Sequence, residues 1–167
     1  MNLRMFDDLL ESNRRYRQTY RDTGAAAWAR RGLAILTCID SRIDPLPVLG
    51  LRAGDAKILR NAGARVTQDA LRSLILATNL LGVTRLCILH HTDCAVAGTT
   101  EAEVAARVAA ARGANVSGWD FMATTDQVAT LREDVATLRA CSLLPDLEVG
   151  GFILELHTGE LVPVDVE

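Results

Sequence analysis

The sequence predicts an α/β fold: a mostly parallel central sheet flanked by helices, with a C-terminal strand–turn–strand. Three observations carry this. Short, nearly continuous apolar runs such as Leu33-Ala34-Ile35-Leu36-Thr37-Cys38 match strands buried on both faces. Helix-length amphipathic segments alternate with these runs, the pattern of parallel strands joined by crossovers. The last two apolar runs, 152–156 and 161–164, flank the turn His157-Thr158-Gly159-Glu160.

Taken in order, residues 7–20 are polar and arginine-rich, with Leu9, Leu10, Tyr16 and Tyr20 spaced as a helical stripe. They predict a helix that lies on something else. Residues 33–38 form the first strand, and Pro45 and Pro47 oppose its continuation. A second short strand covers 56–60 and closes at Asn61-Ala62-Gly63. Residues 69–81 predict a helix, with Asp69 near its start, an apolar face of Leu71, Leu74, Ile75, Leu80 and Leu81, and Gly82 as the stop. A third strand spans 85–90. A second helix spans 99–112, with an acidic start and Gly113 at its end. A looser stretch holding Trp119 and Phe121 leads to a helix over 125–141. No repeat, low-complexity tract or linker interrupts the chain. One domain over 1–167 is expected, including an N-terminal helical arm over about 1–22.

Composition narrows the function. A chain of 167 residues that is 49% hydrophobic can bury a real core. A net charge of -3 offers no basic field for nucleic acid, and Lys57 is the only lysine. No apolar run reaches the roughly 18–20 residues of a membrane span. The start, Met1-Asn2-Leu3-Arg4-Met5-Phe6-Asp7-Asp8, is too acidic and broken for a signal peptide. A cytoplasmic protein is expected. There, four cysteines favour metal binding or inert burial over disulfides.

Two segments carry chemistry. Cys38-Ile39-Asp40-Ser41-Arg42 is followed about fifty residues later by His91-Thr92-Asp93-Cys94. Two thiols and one imidazole are the kind of ligand set a catalytic zinc uses, with the fourth position left to water or substrate. In extended backbone Cys38, Asp40 and Arg42 share one face. A metal ligand, an acid–base group and an orienting cation would then lie side by side. Cys38 ends the first strand, and His91 and Cys94 follow the third. All therefore fall at the carboxyl rim, where ligands bind in open parallel sheets. From the residues alone a bland reading stays open: Cys38 as a buried strand cysteine, His91 in a loop, and Asp40–Arg42 as a surface ion pair. Cys87 and Cys141 read as packing residues. His90 points away from His91 on a strand and reads as supporting or structural. His157 reads as solvated, Trp119 and Phe121 as packing or interface residues, and the Asn61-Ala62-Gly63 segment as a pocket wall.

The chain resembles the beta class of carbonic anhydrases, in its compact prokaryotic form. The residues that carry the resemblance are Cys38-x-Asp40-x-Arg42, Arg60-Asn61-Ala62-Gly63, His90-His91-Thr92-Asp93-Cys94, Gly151-Phe152 and Thr158-Gly159, all in family order. The resemblance implies Zn2+ held by Cys38, His91 and Cys94, with Asp40 and Arg42 as a catalytic dyad. It implies reversible hydration of carbon dioxide to bicarbonate and a proton by zinc-bound hydroxide, which the dyad orients. It also implies that Asp40 can itself occupy the fourth zinc position, and that the chain forms a homodimer or homotetramer with pockets near the subunit interface. No nucleic-acid or membrane partner is expected. Two departures stand out. Ala95 replaces the glycine usual after the zinc cysteine, and no glutamine or aromatic residue matches those of the plant-type pocket.

Two other functions fit the same residues. Relatives of this scaffold hydrolyse carbonyl sulfide or carbon disulfide. Alternatively, Cys38, Asp40, His91 and Cys94 close a purely structural zinc site. Arg42 separates these readings, because a structural site needs no cation paired to its carboxylate.

Overall fold

A computed structural model describes residues 3–22, 24–144 and 146–167. The first two residues of the expected N-terminal arm lie outside the described residues. Among the described residues a short 3-10 turn is followed by α1 (Asp7–Thr19), β1 (Leu33–Cys38), α2 (Pro45–Val48), β2 (Ala56–Asn61), a second 3-10 turn (Ala62–Ala64), α3 (Gln68–Leu80), β3 (Arg85–His91), α4 (Glu101–Arg112), α5 (Gln127–Arg139), β4 (Glu148–Leu154) and β5 (Leu161–Val164).

The strands form a five-stranded sheet in the order β2-β1-β3-β4-β5. The first three pairings are parallel, and only β4–β5 is antiparallel. The mostly parallel sheet and the closing strand–turn–strand are as expected. The order places the site. From β1 the chain moves to β2 on one side, then crosses to β3 on the other side of β1. Strand order therefore reverses between β1 and β3, and a crevice opens past their carboxyl ends. Cys38 and His91 are the last residues of those two strands.

Burial explains the continuous apolar runs of β1 and β3. Ala34, Leu36, Leu86 and Ile88 pack on α3 and α5 through Leu74, Leu131 and Val135. On a second cluster Ile35, Cys87 and Leu89 meet Ile43, Leu51 and Leu154. With both faces covered, alternation disappears from the sequence. In contrast, α1 buries none of its residues in this chain, and Leu9, Leu10 and Tyr16 are exposed.

Helix ends follow side-chain capping. Thr67, not Asp69, caps α3 and accepts from the Ala70 N–H. Thr100 and Glu103 form a capping box on α4, and Gly113 at φ 61 ends it. Asp126 accepts from the Val128 and Ala129 N–H groups, so α5 starts two residues later than the apolar pattern alone indicates. Pro45 opens the one-turn α2, where its missing N–H costs nothing.

One boundary needs correction. The fourth strand runs 148–154 rather than 152–156. Parallel pairing with β3, from Arg85↔Glu148 to His91↔Leu154, decides its length. The glycine pair Gly150-Gly151 resembles a break in sequence, but it lies inside the strand. A Cβ on Gly151 would sit 2.6 Å from Val166 Cγ1, so the position needs a residue without one.

Leu131 is fully buried where α5 meets the sheet. Leu131→Ala is expected to cost about 2–5 kcal/mol by removing contacts and leaving a cavity. Chemical denaturation measures this, and an unchanged midpoint would contradict the packing described.

Candidate metal centre

The rim where β1 and β3 end collects three ligand-type side chains. Cys38, His91 and Cys94 are all buried, and their sulfur and ring-nitrogen atoms lie within 4.8 Å of one another. The two Sγ atoms are 4.0 Å apart. Two sulfurs each about 2.3 Å from a tetrahedral zinc lie about 3.8 Å apart, close to this spacing. Among the described residues no other group of this kind occurs.

The histidine is prepared for a ligand. His91 Nδ1 lies 2.8 Å from the Thr92 carbonyl, which can only accept, so Nδ1 carries the proton. Nε2 is left as a lone pair, and it is buried with no hydrogen-bond partner. A buried acceptor without a partner is rare unless something else completes it. An ion between Nε2 and the two sulfurs does so.

The sulfurs are prepared as well. The backbone N–H groups of Asp40 and Gly63 favour the Cys38 thiolate, and those of Val96 and Ala97 favour that of Cys94. Contact with the Cys94 thiol, then with His91, brings the Cys38 thiol down to about 3 against the cost of burial. The same contact pushes Cys94 up, because a second sulfur anion beside the first is opposed. Burial works against a charged His91, but Cys38 and the Thr92 carbonyl outweigh it and raise its pKa. A cation between the sulfurs would favour both as thiolates.

The 91–94 loop has its own supports. Asp93 adopts φ 55, a left-handed conformation that turns the chain so that Cys94 faces back to Cys38. The Thr92 N–H donates to the Leu154 carbonyl at 3.0 Å. The Thr92 hydroxyl donates to Glu155 Oε1 at 2.9 Å and accepts from the Leu156 N–H at 3.1 Å. Gln127 Nε2 donates to the His91 carbonyl at 2.9 Å.

Beside the cluster, Asp40 and Arg42 meet as expected, but by another route. They do not share a strand face, because β1 ends at Cys38. Asp40 instead starts a turn. Its Oδ1 accepts the Arg42 N–H at 2.9 Å, and its carbonyl accepts the Ile43 N–H at 3.1 Å. A short acceptor side chain two residues before an N–H favours this turn over continued strand. Arg42 Nε then reaches Asp40 Oδ1 at 3.0 Å, and Nη2 reaches Oδ2 at 2.7 Å. The guanidinium holds the Asp40 carboxyl well below the usual carboxylate range. Asp40 lies outside the three-ligand cluster and is paired with Arg42.

The sequence reading gives Arg60 no role at this rim and gives Gly63 only that of a pocket wall. Arg60 Nε donates to the Cys38 carbonyl at 2.9 Å and Nη2 to the Asp40 carbonyl at 2.6 Å, which braces the turn. Gly63, at φ 73, brings its N–H to Cys38, and a Cβ there would lie 3.0 Å from Val96 Cγ2. Asn61 instead braces the next turn by exchanging hydrogen bonds with the Arg65 backbone at 2.7 and 2.8 Å. The one sequence signal for these roles was the family order of Arg60-Asn61-Ala62-Gly63.

The remaining candidates stay outside the cluster. His90 is buried away from it, with both ring nitrogens unpaired, and burial brings its pKa down to about 4. Burial pushes the Cys87 thiol up to about 12, and Cys141 packs on the core. His157 and Trp119 are exposed, and Phe121 is half-buried. A cleft of about 460 Å3 opens at the centre, lined by Asp40, Arg42, Asp93, Cys94, Ala95 and Arg107 among others. Ala95 therefore does lie on the wall of the cleft.

Comparison with known proteins agrees with this geometry. A family model described as carbonic anhydrase matches residues 33–137. The chain is 31% identical over 130 residues to beta-carbonic anhydrase 1 of Mycobacterium tuberculosis, covering 77% of this chain and 79% of that protein. It is 48% identical over 75 residues to carbon disulfide hydrolase of Saccharolobus solfataricus, covering 45% of this chain and 37% of that protein. The crystal structure of carbonic anhydrase from Streptococcus mutans superimposes with a TM-score of 0.89 at 36% identity, covering 99% of this chain and all of that one. The chain belongs to the carbonic anhydrase family, in its beta class.

Proposed function

We propose that this protein, working as one domain over 1–167, catalyses the reversible hydration of carbon dioxide with a zinc ion held by Cys38, His91 and Cys94. The observation that carries the reading is a buried two-sulfur, one-nitrogen cluster, with an ionised carboxylate clamped beside it but not within it. A zinc ion in such a site supplies Lewis acidity, which makes water a nucleophile near neutral pH.

The chain's own residues do the rest. Asp40, kept anionic by Arg42, accepts a hydrogen bond from the attacking water and turns its lone pair toward the substrate carbon. The water oxygen forms a bond to carbon, one O–H bond breaks, and the proton leaves through the open cleft. Bicarbonate remains. The fork of Arg42 fixes the Asp40 carboxylate in position, so little reorganisation is needed as charge develops. Asp40 lies two residues from Cys38, so its carboxylate, if it left Arg42, would be the group to offer a fourth ligand and close the site.

Carbon disulfide is the second substrate class. The 48% identity to a carbon disulfide hydrolase supports it, and Ala95 on the cleft wall is the residue to examine. Turnover of carbon dioxide, carbonyl sulfide and carbon disulfide by one zinc-loaded preparation separates the readings. A loaded protein inert to all three would leave the closed structural site.

The exposed apolar stripe of α1 supports a homodimer or homotetramer. The four free cysteines favour a cytoplasmic setting. Among the described residues no helix is long and apolar enough to cross a membrane.

Three measurements test this reading. Metal analysis should find about one zinc per chain in the wild type and little in Cys38→Ser or Cys94→Ser. Full retention in either variant would remove that ligand from the assignment. Stopped-flow hydration should fall by about a hundredfold or more in Asp40→Asn, with zinc kept. Because the Asp40 pKa is lowered on folding, the group is already ionised well below neutrality. The rise of wild-type activity with pH should therefore come from the water, and Asp40→Asn should lower the curve without moving its midpoint. Arg42→Ala should also keep zinc and lose most activity, and near-normal rates in both variants would exclude the dyad. Light scattering should give at least twice the 18.1 kDa chain mass, and a stable, active monomer at micromolar concentration would contradict the association.

A further inference from the structure

Arg42 is held from two sides. One edge of its guanidinium, Nε and Nη2, serves the Asp40 carboxylate at 3.0 and 2.7 Å. Its far edge serves Asp93: Nη1 donates to Asp93 Oδ2 at 2.7 Å, and Nη2 donates to the Asp93 backbone carbonyl at 2.9 Å. Four of the five N–H donors of a guanidinium are thereby engaged. Asp93 presents both acceptors at once because its backbone is left-handed, at φ 55. That conformation is uncommon for a residue with a Cβ and concentrates where function requires it. Asp93 also lines the cleft with Asp40 and Arg42.

We propose that Asp93 is a positioning residue for the hydration reaction: with its carboxylate and its carbonyl it clamps the outer edge of Arg42, and so sets the direction in which Arg42 presents Asp40 to the reacting water. The inference rests on the reading of Asp40 and Arg42 as the working dyad. With Asp40 alone as partner, the guanidinium would be held along one edge only, at the end of a long, flexible side chain. With Asp93 on the opposite edge, its plane is fixed. The placement is economical, because one four-residue loop supplies His91, Cys94 and the clamp. The side chains of Arg42 and Asp93 are 48% and 64% exposed, so the ion pair is well solvated and contributes little to folding stability. Its effect is on orientation, which gives the test its form.

Asp93→Gly is the clean deletion. Glycine keeps the left-handed turn, and with it the carbonyl contact, and removes only the carboxylate. Asp93→Asn also tolerates that turn and keeps one acceptor oxygen without charge. In zinc-loaded protein, Asp93→Gly should keep its metal and melting temperature, lose on the order of tenfold in kcat, and change KM little. Asp93→Asn should fall between Asp93→Gly and the wild type. A second readout needs no turnover. The Arg42 Nε–H signal in 15N-resolved NMR, assigned by its loss in Arg42→Ala, should exchange faster with solvent in Asp93→Gly. Wild-type kcat together with unchanged Arg42 exchange in Asp93→Gly would overturn the clamp. Loss of zinc from both Asp93→Gly and Asp93→Asn would overturn it too, because the residue would then serve the loop and not the arginine. If the wild type hydrates no carbon dioxide, the dyad reading fails on that result. Arg42 exchange then decides the clamp by itself, faster in Asp93→Gly for it and unchanged against it.

Discussion

Two buried thiols lie 4.0 Å apart beside an imidazole nitrogen that has no hydrogen-bond partner, and the site is built around that arrangement. Ionising one sulfur makes the second harder to ionise, and His91 Nε2 is buried with no hydrogen-bond partner. A cation resolves all three at once. Much of the surrounding structure serves that arrangement. Backbone N–H groups of Asp40, Gly63, Val96 and Ala97 turn toward the sulfurs, and the Thr92 carbonyl fixes the tautomer of His91. Such supporting contacts orient metal ligands and tune their charge.

The fold makes the cluster possible through topology. Cys38 and Cys94 are 56 positions apart in the chain, and no local structure brings them together. Adjacent parallel strands do so, because both end at the same rim and strand order reverses between them. Covering both sheet faces with apolar side chains keeps that rim rigid. The dyad is built differently. It hangs on a turn just beyond β1, braced from behind by Arg60 and from in front by the 91–94 loop. The ends of β1 and β3 and the loop after β3 thus carry the three clustered side chains, and a braced turn carries the carboxylate. The two parts of the site can be altered separately.

Much of this was legible in the sequence, and the exceptions have physical causes. The strands read at 33–38 and 85–90 are legible because parallel strands buried on both faces give unbroken apolar runs, and the structure extends the second by one residue. The ligand cluster was readable because ligand-type residues stood at strand ends. Asp40 and Arg42 were paired correctly for the wrong reason: alternation in a strand was assumed where an Asp-initiated turn operates. The fourth strand was misplaced because Gly150 and Gly151 look like a break until the neighbouring C-terminal segment, with Val166, shows why no side chain fits. Gln127, Arg60 and Asp93 were not assigned roles, since each acts through contacts across 20 to 51 positions of sequence or more that spacing does not encode. Gly63 is legible as part of the rim but not as a neighbour of the Cys38 thiol, as a backbone N–H carries no sequence signature.

The central claim is that Cys38, His91 and Cys94 hold zinc while Asp40 stands beside it with Arg42. Zinc-edge X-ray absorption on the purified wild-type protein tests this most directly, because it counts ligands by type without reference to turnover. The account predicts two sulfurs at about 2.3 Å and one imidazole nitrogen at about 2.0–2.1 Å, with a single light-atom ligand completing the shell. A shell with no sulfur, one sulfur or more than two, or a protein that takes up no zinc, would contradict it.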